Sequence, residues 1–194
     1  KPEGKRDFED AGIFVISKDT AYMDSLDVSE NLFLLRRNSL RKIWLNEKAL
    51  HIQGRALLEK YNLPYAADED SSHLKYGDRI LIGILRAITQ GARVLVLRGI
   101  VAFFHGEERR KLRQFVNQLK QEGITIISID NRADFEDPFF DEVILFRHHT
   151  IYKKIWQDED KWMIDAILKR GLKPADARPQ IARPVSVETQ IRPG

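Results

Sequence analysis

Four consecutive apolar residues, Val94-Leu95-Val96-Leu97, constrain the fold of this chain more than any other feature. A strand that is apolar on both faces is typical of the centre of a parallel sheet, where helices cover both sides. Helices with apolar residues at helical spacing are predicted on either side, over 76–90 and 107–122, with Gly123 as the C-cap of the second. The run therefore predicts an α/β domain built on a parallel sheet.

The rest of the pattern adds strands to this sheet and a helical lobe to the domain. Residues 27–90 are largely helical in pattern and interrupt the alternation of helix and strand, which indicates an inserted lobe at about those positions. The remaining elements are predicted as strands at 12–17 and 124–129, helices at 28–35 and 44–61, loops at 19–28 and 64–73, and a closing hairpin of strands at 143–146 and 150–153.

The organisation of the chain changes near its end. We expect one domain over 1–156, followed by a C-terminal segment at 157–171 whose helix spans 158–170. Residues 172–194 hold four of the seven prolines and few large apolar groups, which predicts a proline-rich linker or tail.

Composition excludes several classes of protein. The chain has no cysteine, so disulfides and thiolate metal sites are ruled out. His148-His149 predicts a hairpin turn, since adjacent side chains point apart, and no metal site is expected. Basic and acidic residues nearly cancel at a net charge of +3, which makes nucleic acid an unlikely partner. No apolar stretch approaches the roughly 20 residues of a membrane helix, and Lys1 to Arg6 lacks the apolar stretch of a signal peptide.

Six short stretches follow one another in a specific order between residues 8 and 180. They are Ala11 to Lys18, Leu26 to Leu34, Leu74 to Arg79, Leu85 to Ile88, Ala92 to Leu97 and Gly123 to Arg132. In order and spacing they resemble the Q-loop, the segment after it, the signature, the ARAL segment that follows the signature, the Walker B strand and the switch strand of sugar-importer ATP-binding-cassette (ABC) ATPases. The resemblance implies a partial P-loop ABC ATPase-like domain, a parallel sheet core with an inserted helical lobe.

The resemblance also implies that the nucleotide site is degenerate. Where the family has the Walker B Asp-Glu pair, this chain has Arg98-Gly99, so a cation replaces the magnesium-linked carboxylate. The Q-loop glutamine is replaced by Lys18 and the switch histidine by Asn131. The signature reads Leu74-Lys75-Tyr76-Gly77-Asp78, and the bulk of Tyr76 is expected to obstruct the close approach of backbone to phosphate.

A glycine-rich phosphate cradle is the remaining part of such a site, and the printed sequence contains no GxxxxGK[ST] run. The only Gly-Lys pair, Gly4-Lys5, is expected to be a solvated start. No cofactor is therefore predicted from this chain, and ATP with magnesium is expected only if an upstream Walker A exists. The prediction is a non-hydrolytic pseudo-ATPase with no catalytic residues.

Three functions stay open at this point. The first is a degenerate nucleotide-binding domain that serves in dimerisation, partner docking or regulation. The second is the ATP-binding subunit of an ABC transporter whose catalytic site is supplied by regions outside this chain. The third is a basic interaction or sensory module of a regulator.

The resemblance predicts partners and a location as well. They are another cassette or a homodimer partner, a membrane permease subunit or an attached regulatory domain, and a cytoplasmic protein at the inner membrane face. Four basic residues of the lobe, together with a tryptophan, form either a partner contact or a solvated face; they are Arg36, Arg37, Arg41 and Lys42, with Trp44.

Overall fold

The computed structural model describes residues 4–20, 22–34, 47–130, 140–147 and 150–156. The chain divides into two compact units, Lys1–Ala133 and Asp134–Gly194. The predicted helix at 158–170 and the proline-rich segment at 172–194 lie outside the described residues.

The first unit alternates helices and strands. Its strands are β1 (Ile13–Ser17), β2 (Val94–Arg98) and β3 (Thr125–Ile129). Its α-helices are α1 (Lys5–Asp10), α2 (Val28–Phe33), α3 (Glu47–Lys60), α4 (Tyr76–Thr89) and α5 (Gly106–Gln121). Two short 3₁₀ turns, Ser71–His73 and Val101–Phe103, complete it.

The three strands form a parallel sheet in the order β1-β2-β3, with the apolar run at its centre. Val94 pairs with Ile13 on one side and with Thr125 on the other. Each connection steps one strand in the same direction, so right-handed crossovers place α4 and α5 on the same face. The predicted α/β fold with a parallel sheet is confirmed.

The two faces of the sheet differ in burial. On one face Phe14, Leu95 and Leu97 are buried beneath the helices. On the opposite face Val15 is 49% exposed and Ile127 is 45% exposed. Val96, which lies between them on the central strand, is half-buried, so the second face is only partly open among the described residues. Parallel sheets are ordinarily covered on both faces.

Helix α4 is the most deeply buried element of the unit. All eight residues from Ile80 to Ala87 are buried, because α4 packs against β1 on one side and α2 on the other. A helix that is buried all round must be largely apolar all round. The apolar spacing at 76–90 predicted this helix correctly, but it did not predict that the helix lies between β1 and α2.

Local side-chain chemistry sets several element ends. Helix α1 was not predicted; its first turn is fixed because the Gly4 N–H donates to Asp7 Oδ2 at 3.2 Å. The segment that we expected to be only a solvated start is thus helical from Lys5. Gly123 follows α5 at φ +83°, a left-handed conformation that ends a helix readily.

The described part of the second unit is an antiparallel hairpin. It consists of β4 (Glu142–Arg147) and β5 (Thr150–Trp156), with an irregularity between Leu145 and Phe146. This agrees with the predicted hairpin. In the part of the chain that the structure describes, no helix is both long enough and apolar enough to cross a membrane.

Candidate functional site

The three parallel strands end together at one edge of the sheet, which is where open α/β sheets bind ligands. The register pairs Ser17 with Arg98 and Arg98 with Ile129. Lys18 and Gly99 follow β1 and β2 directly, so both lie at this edge. We call Lys18, Arg98 and Gly99 the carboxyl edge.

Arg98 ends the central strand with an exposed side chain, and no described residue bonds to its guanidinium. Gly99 takes φ +65°, a left-handed conformation in which any side chain would be strained. Its N–H donates to the Ile129 carbonyl oxygen at 2.8 Å, which fixes the path of the chain out of β2. Neither position supplies a carboxylate, and the next acid in the sequence is Glu107.

A tight turn holds Lys18 at the end of β1. The Ser17 N–H donates to Thr20 Oγ1 at 2.8 Å, and the Thr20 N–H donates to the Ser17 carbonyl oxygen at 3.0 Å. The turn therefore uses its own polar groups to close. The Lys18 side chain is exposed, so it adds a second cation to the carboxyl edge without a described partner.

The signature-like segment lies at the beginning of α4. Leu74 is buried and Lys75 is the exposed N-cap residue. Asp78 lies in the first helical turn and accepts a hydrogen bond from the Tyr65 hydroxyl. Burial, together with the Asp78 carboxylate, raises the pKa of Tyr65 well above its usual range, so its hydroxyl stays a donor.

Two phenylalanines that follow β2 pack on this same helix start. Phe104 is buried, and a methyl group added at Gly77 would lie only 3.2 Å from Phe104 Cε1. Phe103 is 53% exposed and contacts Tyr76, itself 40% exposed, edge to face at 5.3 Å between ring centroids. A side chain at Gly77 would therefore press on the Phe104 ring, and the surface beside Gly77 is aromatic.

Arg79 ties the same helix start to the loop after β1. Its guanidinium lies 2.8 Å from Asp24 Oδ1 and donates to the carbonyl oxygens of Leu74 and Ser72, at 2.9 and 3.0 Å. It also lies over the Tyr22 ring, 5.1 Å from the centroid. The signature-like segment is therefore fixed to the 22–24 loop by one side chain.

A buried polar group lies beneath these segments; we call Asn31, Ser71 and Arg86 the Asn31 cluster. The Asn31 amide donates to the Met23 carbonyl oxygen at 2.9 Å and to Ser71 Oγ at 3.0 Å. Its Oδ1 accepts from the Met23 N–H at 3.1 Å. Ser71 Oγ in turn donates to the carbonyl oxygens of Met23 and Leu26.

Arg86 belongs to α4 and is only 5% exposed. Its Nε donates to the Asn31 carbonyl oxygen at 2.6 Å, and its Nη2 to Asn31 Oδ1 at 3.2 Å. Burial lowers the pKa of Arg86 from its usual value, which is the cost of holding a cation in the interior. The cluster thus joins α2, the 22–27 loop and α4 through satisfied hydrogen bonds.

A histidine–carboxylate pair joins α3 to the beginning of α2. Asp27 caps α2, since its Oδ1 accepts from the Glu30 N–H at 2.8 Å while Glu30 Oε2 accepts from the Asp27 N–H at 2.9 Å. Its other oxygen lies 2.8 Å from His51 Nε2. That hydrogen bond raises the pKa of His51 above its usual value.

Sequence relatives of the chain are sugar-import proteins. It is 28% identical over 137 residues to the ribose import ATP-binding protein RbsA of Roseobacter denitrificans, a match that covers 71% of this chain and 27% of the relative. The RbsA of Caldanaerobacter subterraneus is 28% identical over 142 residues, which is 73% of this chain and 29% of that protein. The match spans little more than a quarter of either relative. No protein-family model matches the chain.

Solved structures agree on the fold. The ADP conformation of MJ1267, an ATP-binding cassette of an ABC transporter, superimposes with a TM-score of 0.68 at 18% identity, over 90% of this chain and 71% of that one. The ATP-binding cassette MJ0796, a dimeric post-hydrolysis structure bound to ADP and Pi, gives 0.62 at 13% identity, over 80% and 68%. The chain has the fold of an ABC ATPase. Its sequence relatives are ATP-binding proteins of sugar importers, as the motif order predicted.

Within this cassette fold the predicted site residues fall into two groups. Lys18, Arg98 and Gly99 lie together at the carboxyl edge, and the signature-like residues 74–78 lie at the beginning of α4. Their assignment to a degenerate nucleotide site stays a prediction. Among the described residues no group of three or more histidine, aspartate or glutamate side chains converges on a metal position. Asn131 and the possible partner contacts lie outside the described residues; those contacts are Arg36, Arg37, Arg41, Lys42 and Trp44.

Sequence reasoning missed the polar residues that hold the cassette fold together. Arg86 stands alone within an apolar stretch, and that isolation was an available signal, because an unpaired polar group is costly to bury. Asn31 directly follows Ser29 and Glu30, so the sequence around it offered no such signal. Nothing in the spacing of Asp24 and Arg79 marks them as partners, since they are far apart in sequence.

Proposed function

We propose that this chain is a nucleotide-binding-domain module of the sugar-importer cassette type that does not hydrolyse ATP. Its role is dimerisation, partner docking or regulation. The observation that carries the proposal is the end of the central strand, where Arg98 and Gly99 stand in place of the family's Asp-Glu pair. A phosphoryl-transfer site needs a metal-linked carboxylate and a water-orienting group at this point.

The described residues do not fit magnesium at the carboxyl edge. A divalent ion beside Arg98 would find no carboxylate ligand at positions 98 and 99, and it would meet like-charge repulsion that solvent screens, because the guanidinium is exposed. Lys18 adds a second cation at the same edge. We therefore derive no hydrolytic step through a metal in this chain.

The intact interior supports a role that depends on shape. The Asn31 cluster and Arg79 fix α2 and α4 to each other and to the loop that follows β1, with buried or charge-assisted hydrogen bonds. A docking module needs a rigid frame of this kind, but it needs no catalytic residues. We propose another cassette as the dimer partner, a membrane permease subunit or an attached regulatory domain as the docking partner, and the cytoplasmic face of the inner membrane as the location.

A chimera tests the absence of hydrolysis directly. Residues 12–130 of this chain would replace the aligned segment of a ribose import ATP-binding protein, which supplies the family's phosphate cradle. We expect no magnesium-dependent ATPase activity from the chimera. Turnover on the order of 1 per second, an ordinary enzyme rate, would refute the proposal.

Two controls show whether a negative result comes from the two residues or from misfolding. The unaltered relative must hydrolyse ATP, and the relative changed only to Arg-Gly at its Walker B carboxylates must lose that activity. The chimera must also melt cooperatively. If the relative that carries Arg-Gly keeps its ATPase activity, then Arg-Gly at the end of the central strand does not prevent hydrolysis, and the proposal loses its main support.

The open sheet face favours a second candidate, an ATP-binding subunit whose catalytic site is completed by regions outside this chain. Val15 and Ile127 expose apolar surface on a face that parallel sheets normally cover. This candidate predicts turnover by the same chimera once the cradle is supplied. The chimera therefore separates the two functions.

A further inference from the structure

The central strand of the sheet ends in a cation that no described residue neutralises. Side chains alternate along a strand, and Leu95 and Leu97 point to the helix-covered face, so Arg98 points to the partly open face. The Arg98 side chain is exposed, and no described residue bonds to its guanidinium. Arginine carries five N–H donors in a planar fork. An anion that reaches this edge therefore meets a donor set that is available for binding.

The neighbours of Arg98 across the sheet do not balance its charge. They are Ser17 on β1 and Ile129 on β3. Ser17 Oγ already accepts from the Asp19 N–H at 3.2 Å, and the Ile129 side chain has no polar atom. Asp19 itself is exposed, and in the described part of the chain it forms no ion pair with Arg98 or Lys18. The edge thus keeps both of its cations without a described counter-ion.

A second cation and an open backbone lie beside Arg98. Lys18 directly follows Ser17, the residue that pairs with Arg98, and neighbouring strands lie about 4.8 Å apart. Its side chain is exposed, and its flexible four-carbon stem can bring the ammonium group to an ion that Arg98 holds. A methyl group added at Gly99 would meet no atom within 4 Å, so the backbone after Arg98 is open to a bound ion.

The two cations indicate what kind of anion fits. Arginine binds carboxylates and phosphates through two parallel N–H bonds, whereas lysine binds phosphate as a point charge. A carboxylate that accepts both N–H bonds from Arg98 uses both of its oxygens. A terminal phosphoryl group has a third oxygen, which can meet Lys18 at the same time. Arg98 and Lys18 together therefore favour a phosphoryl group.

We propose that the carboxyl edge binds a phosphoryl anion directly, with no metal ion between the phosphate oxygens and the protein. This inference rests on the proposed function, in which Arg98 and Gly99 supply no carboxylate to a metal. Magnesium then competes with the protein, because it neutralises the same oxygens that Arg98 and Lys18 bind. A hydrolytic cassette shows the opposite dependence, since magnesium there bridges the phosphates and the protein.

Calorimetric titration of the full chain with inorganic triphosphate tests the proposal. We expect binding in the presence of EDTA, and binding about threefold to tenfold weaker when magnesium is in excess over the triphosphate. Arg98→Gln should weaken binding in EDTA about fivefold to tenfold, because charge-assisted hydrogen bonds are lost. Arg55→Gln is the matched control; Arg55 is exposed on α3, and its loss should change the affinity by less than about twofold.

Arg98→Asp reverses the sign of the charge and gives the sharpest contrast. A carboxylate at this position repels the phosphate but offers a ligand to magnesium. We expect this variant to bind triphosphate more tightly with magnesium than with EDTA, the reverse of the unaltered chain. Citrate, which carries a comparable charge on carboxylates, must bind the unaltered chain more weakly than triphosphate does. Equal binding of citrate overturns the assignment to a phosphoryl group.

ATP in EDTA distinguishes the two sources of a phosphoryl group. Equal affinities for ATP and triphosphate assign the site to a phosphate chain alone, and tighter binding of ATP assigns it to a nucleotide; both support direct binding. The proposal is overturned if the folded chain binds no triphosphate, if binding requires magnesium, or if Arg98→Gln and Arg55→Gln lose affinity equally. Any of these results leaves the proposed absence of hydrolysis intact, because the chimera measures turnover separately.

Discussion

The carboxyl edge and the Asn31 cluster are both polar, yet they differ in the contacts that hold their side chains. Lys18 and Arg98 extend into solvent, and no described residue bonds to them. Asn31 is fully buried and bonds to several backbone and side-chain atoms within 3.4 Å.

The comparison separates residues that a fold needs from residues that a reaction needs. Changing an exposed end-of-strand side chain costs the fold little, so chemistry can be lost there without unfolding. Changing a buried hydrogen-bonded group leaves its partners unsatisfied, so the frame is kept. A pseudo-ATPase is expected when the buried hydrogen-bonded groups are retained and the residues that a reaction needs are not.

The largest expected effect comes from Asn31→Ala, which removes the centre of the buried cluster. Loss of its hydrogen bonds leaves Arg86 and the Met23 N–H short of an acceptor, so we expect about 3 kcal/mol less stability in urea unfolding. Asn117→Ala is the matched control, since Asn117 is exposed on α5 and should change stability by less than about 0.5 kcal/mol. Equal losses of stability in the two variants would contradict the contrast between the buried cluster and the exposed polar residues.

A smaller loss is expected from Gly54→Ala at the contact of α3 with α2. The added methyl carbon would lie 2.1 Å from Ser29 Oγ and 3.0 Å from Ser29 Cβ in a buried contact, so the Ser29 side chain or the helices must shift. Overpacking of this kind costs about 2 kcal/mol. Ser29→Gly should recover part of the loss, and thermal melts of the double variant that show simple additivity would rule out this contact.

The pH dependence of stability tests the His51–Asp27 pair. A pKa raised in the folded state means that the stabilisation is present below the unfolded histidine pKa of about 6.5 and is lost as the pH rises through the folded value. Asp27, Glu47 and Asp68 are the carboxylates that act on it. Relative to His51→Gln, the unaltered chain should be about 1 kcal/mol more stable at pH 5.5 than at pH 8.5.

The control for that experiment is His73→Gln. His73 is 79% exposed on its side chain and lies 3.7 Å from Asp70, so solvent screens the pair. At pH 5.5 we therefore expect a smaller loss of stability from His73→Gln than from His51→Gln. If His51→Gln shows no pH dependence relative to the unaltered chain, the link of α3 to Asp27 does not depend on charge.

The smallest expected effect lies at the carboxyl edge. Arg98→Asp should change stability by less than about 0.5 kcal/mol, because the guanidinium is exposed and has no described partner. Denaturant midpoints of the two chains measure it. A loss above about 1 kcal/mol would mean that Arg98 supports the fold, and the contrast with the Asn31 cluster would fail.

Much of the fold was predictable because it depends on local pattern. The apolar run at 94–97 and the β-branched run at 124–129 gave β2 and β3 to within one residue. Helix α5 follows its apolar spacing in the same way. Helix α1 was missed because six residues carry too little periodicity, and its beginning depends on one backbone-to-side-chain bond at Gly4.

The candidate site was predictable only through its motif order. The positions of Lys18 and Arg98 follow from strand ends, and parallel pairing brings strand ends together. The packing of Phe104 on Gly77 and the bonds of Arg79 to the 22–24 loop could not be predicted. Those contacts depend on how the helical lobe packs beside the sheet. The spacing of residues along the chain does not determine that packing.

By itself the sequence determined the α/β class, the strand order along the chain and the absence of carboxylates at Arg98 and Gly99, because backbone preference and side-chain chemistry are properties of each residue. The tertiary structure alone decided that Asn31 and Arg86 meet, that one sheet face is partly open among the described residues and that β1 is an end strand of the described sheet. Hydrogen-bond partners and exposed surface are properties of pairs of distant segments, so they exist only once the chain is folded.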